Sequence, residues 1–318
     1  LRGLRIGLML DAGWGLALDP DTETMVTSGA TEALAGAIFA CVKPGDEVVL
    51  IQPMYDAYLP LVLQAGGVPR FVTLQPPLWR LTEEALEAAF SDRTAAVIFN
   101  NPLNPAGIAH TREELAMLAR CCVKHDAIAI CDEVWEHLIF EGRRHETVMA
   151  LPSMRERTVK IGSAGKIFSL TGWKVGLVCA APELMRVLAK THQFLTFTTP
   201  PALQAAVAYG LGKDDAYFSQ MRATFERSRD RLAQGLGQLG YRTTPSQGTY
   251  FINIDIAEQG LRDDVVFCER MAREAGVAAI PVSAFYAQAH VRTIVRFCFA
   301  KSDATLDAAL ERLAAWRR

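Results

Sequence analysis

The sequence predicts an α/β fold: a large domain built on a mostly parallel seven-stranded sheet, followed by a smaller C-terminal α+β domain. Three observations carry this. Seven short β-rich runs are separated by helical patterns, the runs are apolar, as in strands covered on both faces, and after Pro200-Pro201 the order changes to a mixture of helices and strands. The chain has 318 residues, 50% hydrophobic and 21% charged, which is enough to bury a core and excludes a disordered or fibrous polymer.

The β-rich runs fall at residues 25–28, 48–51, 70–74, 95–99, 127–131, 158–162 and 176–179. Between them, an Ala-rich helix over 31–42 stops at Lys43-Pro44-Gly45, a helix over 82–90 opens with a Thr82 cap, and one over 111–124 opens with Thr-Arg-Glu-Glu. The domain boundary is expected near 198–215, giving a large domain over 1–205 and a small one over 206–318. In the second part, a charged helix over 214–239 ends at Gly240. It is followed by strands over 241–243 and 249–255, a helix over 263–275, strands over 277–280 and 293–299, and a last helix from Ser302.

Thirty-three basic residues nearly balance 35 acidic ones, so no basic field attracts nucleic acid or an anionic membrane. The seven cysteines lack the spacing of a disulfide framework and read as reduced core thiols of a cytoplasmic protein. No run approaches the ~18 apolar residues of a membrane span, and residues 1–18 lack the features of a signal peptide. The first residue is Leu rather than Met, so a fragment or processed product is expected.

Four polar constellations stand at the ends of expected strands, where open α/β sheets bind ligands. At Thr27-Ser28-Gly29-Ala30-Thr31-Glu32 a strand turns through Gly into a helix start, whose free N–H groups suit a phosphate. Asn100-Asn101-Pro102-Leu103-Asn104-Pro105 is a rigid loop with directional amides. Asp132 ends an apolar run, so its carboxylate is expected to be deep and to need a cationic partner. Gly162-Ser163-Ala164-Gly165-Lys166 places a lysine beside Gly and aromatic residues, where partial desolvation favours a nucleophilic amine, and Lys174 follows as an anion ligand. Each has a plainer reading as a turn, a cap or a surface charge. Together they match the needs of pyridoxal 5′-phosphate: a lysine for its aldehyde, an Asp for its ring nitrogen and a cradle for its phosphate.

The strings SGATEAL (28–34), QPMYDAY (52–58), NNPLNPAG (100–107), CDEVWEHL (131–138), SAGKIFSLTGWKVG (163–176), IPVSAFY (280–286) and VRFCFAKSDATL (295–306) occur in that order. From about residue 20 to its end, the chain resembles the class I/II aminotransferases of the fold-type I pyridoxal-phosphate enzymes. It is most similar to the branch containing kynurenine aminotransferase, glutamine transaminase K and methionine aminotransferases. The resemblance implies that Lys166 is the Schiff-base lysine and proton shuttle, and that Asp132 partners the pyridinium nitrogen. It implies phosphate ligands at Gly29, Ala30, Thr31, Ser163 and Lys174, a ring-stacking aromatic at Tyr55, and packing beneath the ring by Val134. Asn104 is implied as the donor to the cofactor's 3′ oxygen near the substrate carboxylate. Arg296 is implied as the bidentate anchor of that carboxylate, with Arg292 as the fallback on the same face.

Two departures stand out. Most relatives carry Tyr where this chain has Trp135, whose indole N–H donates with a different reach. The family also carries several dozen residues ahead of the point matching Leu1, so the chain is expected to be a truncated form. The implied function is ping-pong transamination between an L-amino acid and a 2-oxo acid, in a homodimer with the site at the interface. The same lysine could serve β-elimination from cysteine conjugates or cystathionine, and a third reading is a pyridoxal-phosphate-binding but inactive or regulatory form. Trp14, Tyr55, Tyr250 and Phe285 are candidates for an aromatic-lined substrate pocket. The six histidines lack metal-ligand spacing, so no metal is expected, and His137 and His145 read as surface residues or supports behind the site.

Overall fold

The computed structural model describes residues 15–287 and 291–317. Strands β1 (Thr24–Thr27), β2 (Glu47–Gln52), β3 (Val68–Thr73), β4 (Thr94–Asn100), β5 (Ile128–Asp132), β6 (Thr158–Ser163) and β7 (Gly176–Cys179) form one sheet in the order β1-β7-β6-β5-β4-β2-β3. β7 is antiparallel to both of its neighbours, and the other neighbouring pairs are parallel. A second, fully antiparallel sheet has the order β10-β11-β9-β8, from β8 (Arg242–Thr243), β9 (Phe251–Asp255), β10 (Ile280–Pro281) and β11 (Ile294–Cys298).

The helices are α1 (Ala30–Cys41), α2 (Tyr58–Gln64), α3 (Glu83–Ala89), α4 (Arg112–Lys124), α5 (Ala164–Ile167), α6 (Pro182–Leu195), α7 (Pro201–Leu211), α8 (Asp215–Gln238), α9 (Asp264–Arg270) and α10 (Asp303–Trp316). Period-two alternation sends each central strand's side chains into two cores. Val48, Leu50, Ala96, Ile98 and Ile130 face α1, α2 and α6, whereas Val49, Ile51, Val97, Phe99, Ala129 and Cys131 face α3 and α4. Burial on both sides accounts for the uninterrupted apolar runs. The smaller sheet has its own core, in which Ile252, Ile254, Val295 and Phe297 meet Leu232, Leu236 and Leu306. Among the described residues no helix is long and apolar enough to cross a membrane.

The expected seven strands are present, and the Thr111 signal is realised as a reciprocal capping box with Glu114. The sequence reading contains no helix at α2, α6 or α7. Each carries Pro in its first turn, where the missing N–H costs nothing and the fixed φ favours the helix. Residues 201–211, which straddle the expected division after 205, are one helix, and its Val207 and Leu211 pack with Leu16, Leu18 and Ile167. The strand expected over 277–280 is reduced to Ile280–Pro281, because a π-helical turn, Met271–Ala275, extends α9 and ends at Gly276.

Candidate active site

Asn100, Asp132 and Ser163 are the last residues of β4, β5 and β6, adjacent parallel strands in the sheet. They share the face that packs on α1 and α2, as their parity with Ile98, Ile130 and Ile161 requires. A cavity of about 490 Å3 opens there. Its wall contains Gly29, Ala30, Thr31, Tyr55, Asn104 and Asp132, together with Val134, Trp135, Ser163, Lys166 and Lys174. Thus 11 of the 12 residues to which the resemblance assigns a cofactor or substrate role share one cavity and Arg296 is the twelfth, whereas the pocket candidates Tyr250 and Phe285 are not in its wall.

Asp132 is buried, and its Oδ2 accepts a hydrogen bond from Tyr58 Oη at 2.5 Å while its Oδ1 accepts one from the Val134 N–H at 3.3 Å. Burial raises its pKa from 3.8 to about 6 against the lowering effects of Tyr58, the Val134 N–H and Lys166. Tyr58 is itself pushed up, by burial first and by Asp132 second. No ion pair to Asp132 forms among the described residues.

The N-terminus of α1 has no side-chain cap. Gly29 turns the chain there with φ 92°, and a Cβ on it would meet Lys174 at 3.6 Å. Lys174 also has a left-handed backbone, φ 52°, and an exposed side chain. The uncapped helix start at Gly29, Ala30 and Thr31, Ser163 and Lys174 thus all line this cavity.

Lys166 lies in the short helix α5, half-buried, with Nζ 4.8 Å from the Trp135 ring and donating to Tyr250 Oη at 3.0 Å. The indole N–H of Trp135 makes no hydrogen bond among the described residues.

Arg296 is not in the cavity wall but reaches it through Asn104, whose Oδ1 accepts from Nη1 at 2.6 Å. Asn104 N in turn donates to Asn100 Oδ1 at 2.7 Å, and Asn100 Nδ2 donates to the Asp132 carbonyl at 2.8 Å. The guanidinium is 3.9 Å from the Phe251 ring and 4.7 Å from Phe285. Burial pulls its pKa down to about 10, and no ion pair holds it among the described residues. Arg292 instead bonds Asp263 on the surface at 3.0 Å.

Trp14 lies outside the described residues. His137 is half-buried and stacks on Phe218 at 5.0 Å. His145 is buried rather than on the surface, with Nε2 2.8 Å from Glu133. Glu133, Glu136 and His145 have metal-ligand proximity, but Lys160 is already among them, with Nζ 2.5 Å from Glu136 and 3.5 Å from Glu133. The sequence reading overlooked Tyr58 and the role of Asn100. The signal for Tyr58 was its place in QPMYDAY, three residues past Tyr55.

This sheet order, with a lysine just past β6 and a carboxylate at the end of β5, defines a fold-type I transferase. The chain belongs to the aminotransferase class I and II family, whose model matches residues 8–313. It is 42% identical over 311 residues to a probable N-succinyldiaminopimelate aminotransferase, DapC, of Mycobacterium tuberculosis, covering 94% of this chain and 78% of that protein. It is 39% identical over 300 residues to the methionine aminotransferase of Escherichia coli, with coverage of 94% and 78%. Against human kynurenine–oxoglutarate transaminase 1 the identity is 38% over 335 residues, with coverage of 95% and 79%. The solved N-succinyldiaminopimelate aminotransferase from M. tuberculosis superposes with a TM-score of 0.96 at 40% identity, covering 99% of this chain and 83% of that one. The chain is therefore an aminotransferase, and transamination is favoured over β-elimination. Enzymes of this family use pyridoxal phosphate to exchange amino groups between amino acids and 2-oxo acids.

Proposed function

We propose that this cavity binds pyridoxal 5′-phosphate and that Lys166 is both its covalent partner and the base that moves the substrate α-proton. The observation that carries this reading is the pairing, in one cavity, of the Lys166 amine with the buried Asp132 carboxylate, which forms no ion pair among the described residues. When bound, the cofactor supplies a protonated ring nitrogen and an electron sink for the substrate α-carbon. Asp132 holds that nitrogen, aligned by Tyr58. The α1 N-terminus at Gly29, Ala30 and Thr31, with Ser163 and Lys174, holds the phosphate, where an uncapped helix favours an anion. Tyr55 and Val134 would pack against the ring, and Asn104 and Trp135 would offer donors to its 3′ oxygen. Arg296 takes the substrate carboxylate, a role suited to a planar fork-shaped cation held beside two aromatic rings.

A homodimer belongs to the same reading. Phe194 is 85% exposed, Tyr209 68% and Phe197 73%, an apolar burden that a second copy would cover. The seven free cysteines support a cytoplasmic location.

The test is the absorbance of the chain with pyridoxal phosphate before and after L-methionine or L-kynurenine. A band that needs Lys166 and bleaches with the amino acid is expected. An identical band in Lys166→Ala would remove Lys166 from this role.

A further inference from the structure

Tyr250 enters the site from the smaller sheet. It immediately precedes β9, and its Oη, 3.0 Å from Lys166 Nζ, is the only hydrogen-bond partner of that amine among the described residues. Three rings fix the phenol: Trp135 edge-on at 4.4 Å, Phe251 at 4.7 Å and Phe225 at 6.4 Å. It cannot swing away without displacing an aromatic cluster.

The backbone leading to it is a second, independent observation. Thr249 is fully buried with φ 66°, a region that β-branched residues rarely enter. Its N–H donates to the Leu138 carbonyl at 3.0 Å, and its Oγ1 accepts from the Phe251 N–H at 3.1 Å. Gly248 precedes it where a Cβ would lie 2.9 Å from Leu138 O, and Gln247 N and Gly248 N both donate to Gly107 O, at 2.7 and 2.9 Å. Strain of this kind persists where the surroundings over-determine it, and it clusters at functional sites. Here the contacts that over-determine it come from the Asn-Pro loop and from the turn after Asp132, so the phenol is referenced to the walls of the cavity.

We infer that Tyr250 is a positioning residue for Lys166, holding the free amine over the cavity through its hydroxyl. The inference rests on Lys166 being the reacting amine. Trp135 offers the lysine a ring face but no hydrogen-bond acceptor, so among the described residues Tyr250 supplies the one it has.

Tyr250→Phe keeps the ring and its packing and removes only the acceptor. In the cofactor-free chain, labelling of Lys166 by an amine-reactive reagent, read by peptide mass spectrometry against Lys43 and Lys124 in the same digest, should rise about threefold to tenfold. That is the range one net hydrogen bond corresponds to. In the loaded chain kcat should fall about tenfold while KM moves less than twofold, the mark of a group that acts on the reaction rather than on binding. Phe225→Leu loosens the same ring cluster with the hydroxyl kept, and should leave labelling within about 1.5-fold. Labelling unchanged in Tyr250→Phe, or raised equally in Phe225→Leu, overturns the inference, as does a labelling change without a fall in kcat. A parent chain that shows Tyr250-dependent labelling but forms no Lys166-dependent cofactor band would instead overturn the cofactor reading while upholding the hold on Lys166.

Discussion

Tyr58 Oη and Asp132 Oδ2 lie 2.5 Å apart although the residues are 74 positions apart in sequence. The phenol is the strongest polar contact of a carboxylate that is otherwise enclosed by the sheet and α1, and it orients the acid without neutralising it. Burial still dominates and raises the Asp132 pKa from 3.8 to about 6.

That displacement has a consequence for stability. Between about pH 4 and 6 the folded, cofactor-free chain holds the Asp132 proton more tightly than the unfolded chain does, so this group's contribution to stability falls as pH rises through that window. Above it, the buried charge costs about 2–3 kcal/mol. Asp132→Asn should therefore be more stable than the parent by about that amount at pH 8 and equal to it near pH 4, in urea denaturation of the cofactor-free protein. The same variant should bind pyridoxal phosphate more weakly, because the ring nitrogen loses its anion. A variant less stable than the parent at pH 8 would show that the carboxylate is well compensated without a ligand.

The Arg296 guanidinium lies 3.9 Å from the Phe251 ring and 4.7 Å from Phe285, and its Nη1 donates to Asn104 Oδ1. Lysine keeps the charge and loses both the fork and the stack. Arg296→Lys should raise KM for the amino acid about tenfold to a hundredfold, consistent with about 1.5–3 kcal/mol for a hydrogen bond to a charged group. The absorbance band of the bound cofactor should be unchanged. A variant with parental KM would assign the substrate carboxylate to another residue.

The legible parts of the sequence were those set by local patterns. Central strands such as Glu47–Gln52 and Thr94–Asn100 read as apolar runs because both faces are covered, and Thr111 with Glu114 read as a cap because the motif is contained in one turn. Asp132 and Lys166 were legible as polar residues ending or following such runs. Tyr58 was not, because its partner lies 74 residues away and nothing local distinguishes a phenol aimed at a carboxylate from one in a core; Tyr250 read only as a candidate for the substrate pocket, because its contact with Lys166 spans 84 residues. Lys160 was not singled out from the sequence either, although the strand Thr158–Ser163 that carries it is buried along its whole length and its charge there requires a buried anion.

That anion is a pair. Lys160 Nζ contacts Glu136 at 2.5 Å and Glu133 at 3.5 Å, and His145 bonds Glu133 at 2.8 Å. Burial alone would lower the Lys160 pKa, but Glu136 and Glu133 outweigh it and the net displacement is upward. Replacing Lys160 with Met leaves two carboxylates buried with their cation gone. Lys160→Met should cost about 3–5 kcal/mol at pH 7. In the variant the carboxylates would hold protons more tightly folded than unfolded, so part of that loss should return as pH falls toward 5. Denaturant midpoints at the two pH values check both statements.

Gly176 opens β7 where that strand passes β1, and a Cβ there would collide with Thr27 Oγ1 and the Gly29 backbone. Both belong to the turn that presents the α1 N-terminus, so the strain would be delivered to the anion cradle rather than spread through the core. Overpacking of this kind costs about 1–3 kcal/mol. Gly176→Ala should lose about that much stability and should also weaken pyridoxal phosphate and inorganic phosphate by a similar factor, since both would use the same N–H groups. The sheet cannot absorb the methyl by sliding, because β7 is hydrogen-bonded to β6 on its other side from Gly176 to Cys179. Titration of each ligand against parent and variant separates the two consequences. A variant that loses stability but keeps parental affinity for both anions would place the cradle beyond the reach of this contact.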